Sequence, residues 1–222
     1  MRTTLTWTIL AGGLAAATAL AAPIRGTVQM PASSDAASAD EEANQYYWKV
    51  WNGVVDPGTP RPDPSRELAV VLTGESATEE PIGCTYAIRG GDLHPSTLVV
   101  KAGAALRIEN RDGCAHELRS AGIPDFAPLA TAPGNARAIN VPAGGPYEIT
   151  DRLYAHVSGT VHPLTDLVAC ATVGADGAFV FEGIPNGTYT LKIFRGADEV
   201  HSAEVVVQDA PITIEPIGLG GS

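Results

Sequence analysis

From residue 67 to its end this chain is a series of short apolar runs, each closed by turn chemistry. LVACATV ends at Gly174-Ala175-Asp176-Gly177, and AFVF is separated from TYTLKIF by Pro185-Asn186-Gly187. Asp-Gly and Asn-Gly between β-rich runs are hairpin signals, because both residue types tolerate positive φ. Glu67 to Gly74 (ELAVVLTG) is apolar through its centre, which predicts a strand buried on both faces. Further strands are predicted around Tyr86 and Ile88, Leu98 to Val100, Leu106 and Ile108, Ala136 to Val141, Tyr147 and Ile149, and Val157 to Val161. Glu199 to Val207 alternates apolar and polar, and PIRGTVQM at 23–30 is a further short strand. No segment keeps a helical period. Strands with turn signals every roughly 8–12 residues predict an all-β sandwich.

The first 22 residues read as a secretory signal: Arg2 gives a positive start, Leu5 to Leu20 is apolar, and Ala19-Leu20-Ala21 is a small-residue cleavage pattern. The segment is short and Ala/Gly-rich for a membrane span, so no span is expected after its removal. The mature chain is then about 200 residues, enough for one large or two small domains. The formal charge is −11, with no Lys/Arg cluster. Nucleic acid and anionic membrane surfaces are therefore poor partners. Three cysteines, Cys84, Cys114 and Cys170, in an oxidising compartment imply one disulfide and one thiol, with three pairings open.

Residues 31–44 are rich in Ala, Ser, Asp and Glu and read as a flexible loop. The aromatic run Tyr46-Tyr47-Trp48-Lys49-Val50-Trp51 either stacks on a glycan or protein partner or seals a sandwich edge, and packing is the favoured reading. A Pro-rich connector follows at 56–65. Asn186-Gly187-Thr188 matches a glycosylation sequon but is better explained as a turn. Gly-x-Ser-x-Gly, zinc-protease His pairs and phosphate-cradling Gly loops are missing. The adjacent Glu79 and Glu80 read as an exposed loop pair, so no enzyme activity is expected.

Cys84 to Ser120 reads CTYAIRGGDLHPSTLVVKAGAALRIENRDGCAHELRS. A strand, a turn with Pro95, a second strand and a Lys-Ala-Gly turn lead to a break at Asn110-Arg111-Asp112-Gly113, and then to His116. This resembles the first half of a cupredoxin, the small Greek-key β-sandwich that holds copper, in which the histidine after such a break is the first ligand. The resemblance implies a thiolate, a second histidine and a methionine in a loop after a Tyr-led strand. Here that region reads YEITDRLYAHVSGTVHP, with Thr150 at the Cys position, Leu153 at the second His position and His156 at the Met position. A blue-copper centre lacks its thiolate. Two imidazoles remain, His116 and His156, and Cys114 is a weaker third candidate. Glu117 would add an oxygen if it turned inward. Such a set would suit Cu(II) or Zn. The other reading makes both histidines hydrogen-bonded structural groups. His94 is expected at the surface, His162 in a linker and His201 facing outward. On the cupredoxin frame Cys114 lies near the metal end and Cys84 at the other, which favours Cys84 with Cys170.

The tail, ADGAFVFEGIPNGTYTLKIFRG, resembles the carboxypeptidase regulatory-like, transthyretin-type β-sandwich through its DG-x-F and P-x-G-x-Y-x-L pattern. Together the two resemblances cover roughly residues 67 to 208. Before them, the residue pattern places a signal peptide at 1–22 and then a 23–66 segment of strand, acidic loop and Pro-rich connector. A cupredoxin-like domain at 67–162 and a transthyretin-like β-meander at 163–222 follow. The expected role is a non-enzymatic binding or structural module of the cell envelope, periplasmic or secreted, with an envelope protein or glycan as partner. The alternative is a divergent copper or zinc binding protein using His116 and His156.

Overall fold

The computed structural model describes residues 23–30, 63–75 and 80–220. The signal segment, the acidic loop, the aromatic run at 46–51 and Glu79 lie outside the described residues. Within them the chain is almost entirely β. β1 (Ile24–Gln29) comes first, then a single-turn helix α1 (Pro64–Glu67) and β2 (Leu68–Thr73). Asp63 caps α1, its carboxylate accepting from the Ser65 backbone N–H at 3.0 Å, with Pro64 at the first helical position.

Next come β3 (Tyr86–Arg89), β4 (Asp92–His94), β5 (Thr97–Lys101), β6 (Ala105–Asn110), β7 (Leu118–Arg119), β8 (Ala136–Asn140), β9 (Tyr147–Asp151) and β10 (Ser158–Leu164). They form two sheets, ordered β4-β3-β6-β8 and β5-β10-β9-β7, around a core that includes Ile88, Leu98, Leu106, Phe126, Ile149 and Val161. The alternation read in the sequence sets the faces. On β6 Leu106 and Ile108 point in, while Arg107 and Glu109 point out.

The remaining strands are β11 (Leu167–Cys170), β12 (Thr172–Val173), β13 (Ala178–Phe181), β14 (Gly187–Arg195), β15 (Asp198–Val207), β16 (Ile212–Thr213) and β17 (Ile217–Gly218). They recruit both early strands. β1 pairs with β13, β16 and β17, and β2 lies between β11 and β14. The sequence reading grouped residues 67–73 with the cupredoxin-like segment, whereas pairing puts β2 in the second sandwich. The reason is burial: β2 is buried at all six positions. Leu68, Val70 and Leu72 fill the second core, and Ala69 and Val71 pack on Val99, Leu167 and Phe194 at the junction of the two sandwiches. An apolar strand of this kind needs a layer on each side.

Polar groups complete the junction. Thr97 Oγ1 donates to the Glu67 carbonyl at 2.6 Å and accepts from the Gly196 N–H at 2.8 Å. The Tyr86 hydroxyl donates to the Val99 carbonyl and accepts from the Val99 N–H at 3.0 Å. Burial drives the Tyr86 phenol far above its ordinary range, against the opposing pull of the Val99 N–H that donates to it. Beside it, a disulfide joins Cys84 to Cys170 across the junction, and Cys114 is free. Of the three pairings the sequence left open, this is the one the cupredoxin frame favours.

Candidate functional site

The loop after β6 is built by Asn110. Its buried side chain donates Nδ2–H to the carbonyls of Cys114 and Thr131, both at 2.8 Å, and its Oδ1 accepts from the Asp112 N–H at 2.9 Å. Asp112 then reaches the β3–β4 turn, accepting from the N–H groups of Gly90 at 2.5 Å and Gly91 at 2.9 Å. Both glycines have positive φ, which aims their N–H groups at one carboxylate. Burial alone would raise the Asp112 carboxyl, but the two backbone donors and His116 outweigh it and hold the group below its usual range.

This loop delivers His116 to the interior, where it is 1% exposed. Its backbone pairs with Thr131 in both directions, at 3.1 and 2.8 Å. Nδ1 lies 2.7 Å from Asp151 Oδ2 and Nε2 lies 3.1 Å from Asp112 Oδ2. Both ring nitrogens thus face a carboxylate oxygen. Asp151 is itself enclosed, its Oδ1 accepting from the N–H groups of Leu153 at 2.7 Å and Tyr154 at 3.2 Å.

The other sequence candidates divide. His156 and Cys114 do line one shallow pocket with His116, together with Asp112 and Tyr154. Cys114 Sγ is 3.7 Å from His116 Nε2, and the Tyr154 ring lies 5.1 Å from His116 and 6.1 Å from His156. A hydrogen bond to Cys114 and the charge there hold the Tyr154 phenol above its usual range, with burial and Asp151 adding to the effect. Glu117 does not turn inward, for it pairs with Arg152 at 2.5 Å, and that bond lowers its carboxyl. Thr150 lines a separate groove with Phe126 and Tyr147, while its neighbour Asp151 meets His116, as alternation along β9 requires. Leu153 is exposed.

Two histidines depart from their expected places. His162 is no linker residue but is buried in β10. It stacks on Phe194 at 4.4 Å, with Nε2 2.7 Å from the Gly196 carbonyl. Burial holds its imidazole below the ordinary value against the upward pull of that carbonyl, Asp198 and Glu199. His94 is no surface residue either. It is half-buried on β4 and its Nδ1 is enclosed without a hydrogen-bond partner.

Asp112 and Asp151 were not candidates in the sequence. The Asp-Gly pair after Asn110 was read only as a break, and Asp151 has no local signal linking it to a histidine far earlier in the chain. Among the described residues, no group of three or more His, Cys, Asp and Glu side chains is arranged to hold a metal. A metal on either ring nitrogen of His116 would have to share or take over the place of the carboxylate now facing it.

No protein-family model matches the chain, and no curated protein matches it. Among solved structures it is similar to a reduced amicyanin mutant at 20% identity, covering 43% of this chain and 98% of that one with a TM-score of 0.33. An oxidized amicyanin mutant matches at 18% identity over the same shares, with a TM-score of 0.34. A further mutant in its Cu(I) form matches at 20% identity, again over 43% and 98%, with a TM-score of 0.34.

Proposed function

We propose that this chain is an exported, non-enzymatic β-sandwich protein acting as a binding or structural module of the cell envelope. The observation that carries this reading is the capture of both His116 ring nitrogens by carboxylates. A ring held this way braces the loop between β6 and β7, with both nitrogens facing carboxylates rather than a substrate or metal. The cross-junction disulfide supports an oxidising compartment, and the apolar first 22 residues support export. The finer architecture belongs to the same proposal. Residues 84–164 form a Greek-key, cupredoxin-like sandwich, supported by the parallel pairs β3 with β6 and β5 with β10. The tail strands form a transthyretin-like sandwich completed by β1 and β2. The partner is an envelope protein or glycan.

Calorimetric titration with Cu(II) and Zn(II) tests the reading. Wild type, H116A, H156A, H94A and H201A should all bind equally weakly. Stoichiometric binding that is lost in H156A, whose side chain is exposed and whose replacement should leave the fold intact, would instead support a divergent copper or zinc protein using His116 and His156.

A further inference from the structure

A cleft of about 250 Å³ opens where the β3–β4 hairpin meets β2 and β12. One wall is apolar, with the partly exposed Ala171 and Val173, and the other carries Arg89, His94 and Arg111. Strand register produces the basic wall. Ala87 pairs with His94 and Arg89 with Asp92, so these residues share the outer face of the hairpin, while Tyr86, Ile88 and Leu93 fill the core behind it. Arg111 follows β6 and joins the same face, its N–H donating to the Ile88 carbonyl at 2.9 Å.

Among the described residues, no carboxylate lines this cleft. The neighbouring ones are already engaged: Asp92 pairs with Arg66, and Glu109 serves both Arg107 at 2.6 Å and Arg111 at 2.9 Å. Arg89 has no ion-pair partner among the described residues. The enclosed His94 Nδ1 also lacks a hydrogen-bond partner. In a chain of net charge −11 this local excess of cations is unusual, and it faces an apolar surface.

We propose that this cleft binds a small organic carboxylate with an apolar body. The Arg89 guanidinium fork matches a carboxylate in shape and charge, His94 supplies a second donor, and Arg111 adds charge. The Ala171–Val173 wall takes the body of the ligand. A bare oxyanion would use the cations and leave that wall wet, so the cleft should prefer an amphipathic acid. No residue lining this cleft lines the His116 pocket, so the site does not depend on the role given to that residue.

His94 makes binding pH-dependent. Burial, then Arg89 of β3 and Arg66 of α1, hold its imidazole below the ordinary value, with Asp92 of β4 and the Arg89 carbonyl opposing them. A bound anion adds negative charge and favours the imidazolium. Binding therefore takes up a proton and tightens as pH falls.

The test is an NMR titration of the full chain, disulfide intact, with benzoate, benzamide and inorganic phosphate at about pH 7.5 and about pH 5.5. Benzoate should shift the amides of residues 87–94, 111 and 171–173 saturably. Benzamide and phosphate should bind about tenfold more weakly or worse, the size of one charge-assisted bond. R89Q should weaken benzoate by about the same factor with its melting temperature unchanged. Benzoate affinity should rise at the lower pH in wild type and stay flat in H94Q. Equal binding of benzamide or phosphate, an unaffected R89Q, or no saturable shift at these residues would each overturn the proposal.

Discussion

Asp151 holds the His116 loop from β9. It takes the Nδ1–H of His116 and caps the turn after β9 through the N–H groups of Leu153 and Tyr154. Alanine there leaves a buried ring donor and two backbone donors without partners at once. Removing one member of a buried pair costs about 3–5 kcal/mol. D151A should lose stability of that order in urea unfolding at neutral pH, while H156A, at an exposed position, should stay within about 0.5 kcal/mol of wild type. A small effect in D151A would mean that His116 is braced by something else. His116 was legible because it follows a strand broken by Asn110 and Asp112-Gly113. Asp151 was not, because the cupredoxin frame looks for a thiolate at Thr150, and one position along a strand reverses the face. Glu117 failed as a ligand for the same reason of parity: Leu118 turns inward, so Glu117 turns out to Arg152.

Strands and turns were the most legible elements, since period and turn chemistry are local. The Asp176-Gly177 turn is a case in point, and the structure adds why it must be glycine. Gly177 has φ of +80°, and a Cβ there would stand 2.0 Å from the Val28 carbonyl oxygen. Its carbonyl is where β1 docks, accepting from the Val28 N–H at 2.9 Å, while its own N–H closes the turn onto the Gly174 carbonyl. G177A therefore combines a left-handed backbone, roughly 1–2 kcal/mol for an L-residue, with a backbone clash that must push β1 away. The expected result is a loss exceeding that backbone cost and faster amide exchange in residues 24–29. An unchanged exchange pattern would show that β1 tolerates the displacement. What the sequence could not show was the pairing itself. PIRGTVQM reads as a strand, but nothing local says that its partners lie in the tail, and β2 reads as doubly buried without saying between which layers.

At the scale of the molecule, two sandwiches share one junction, and two features of that junction respond to conditions. The Cys84–Cys170 disulfide closes a loop of 86 residues, which restricts the unfolded chain by about 4 kcal/mol. Reduction should lower the melting temperature by roughly 8–16 °C for a chain of this size, and an unchanged midpoint would mean that the junction holds without the bond. His162 responds to pH. Its ring lies against Phe194 with Nε2 facing the Gly196 carbonyl, and burial keeps its imidazole below the ordinary value. Above about pH 6.5 the ring is neutral in both folded and unfolded chains, and its full contribution is present. Below that, the unfolded chain takes up a proton that the folded ring resists, so stability falls with pH until the folded ring is protonated as well. His94, lowered in the same direction, adds to the trend in the wild type. H162Q isolates the junction ring, since an amide can still donate to Gly196 but does not titrate. The stability advantage of wild type over H162Q, from urea midpoints at about pH 7.5 and about pH 5.5, should shrink at the lower pH. An advantage that grows on acidification would show that the folded junction prefers the charged ring, and would reverse the sign assigned to its burial.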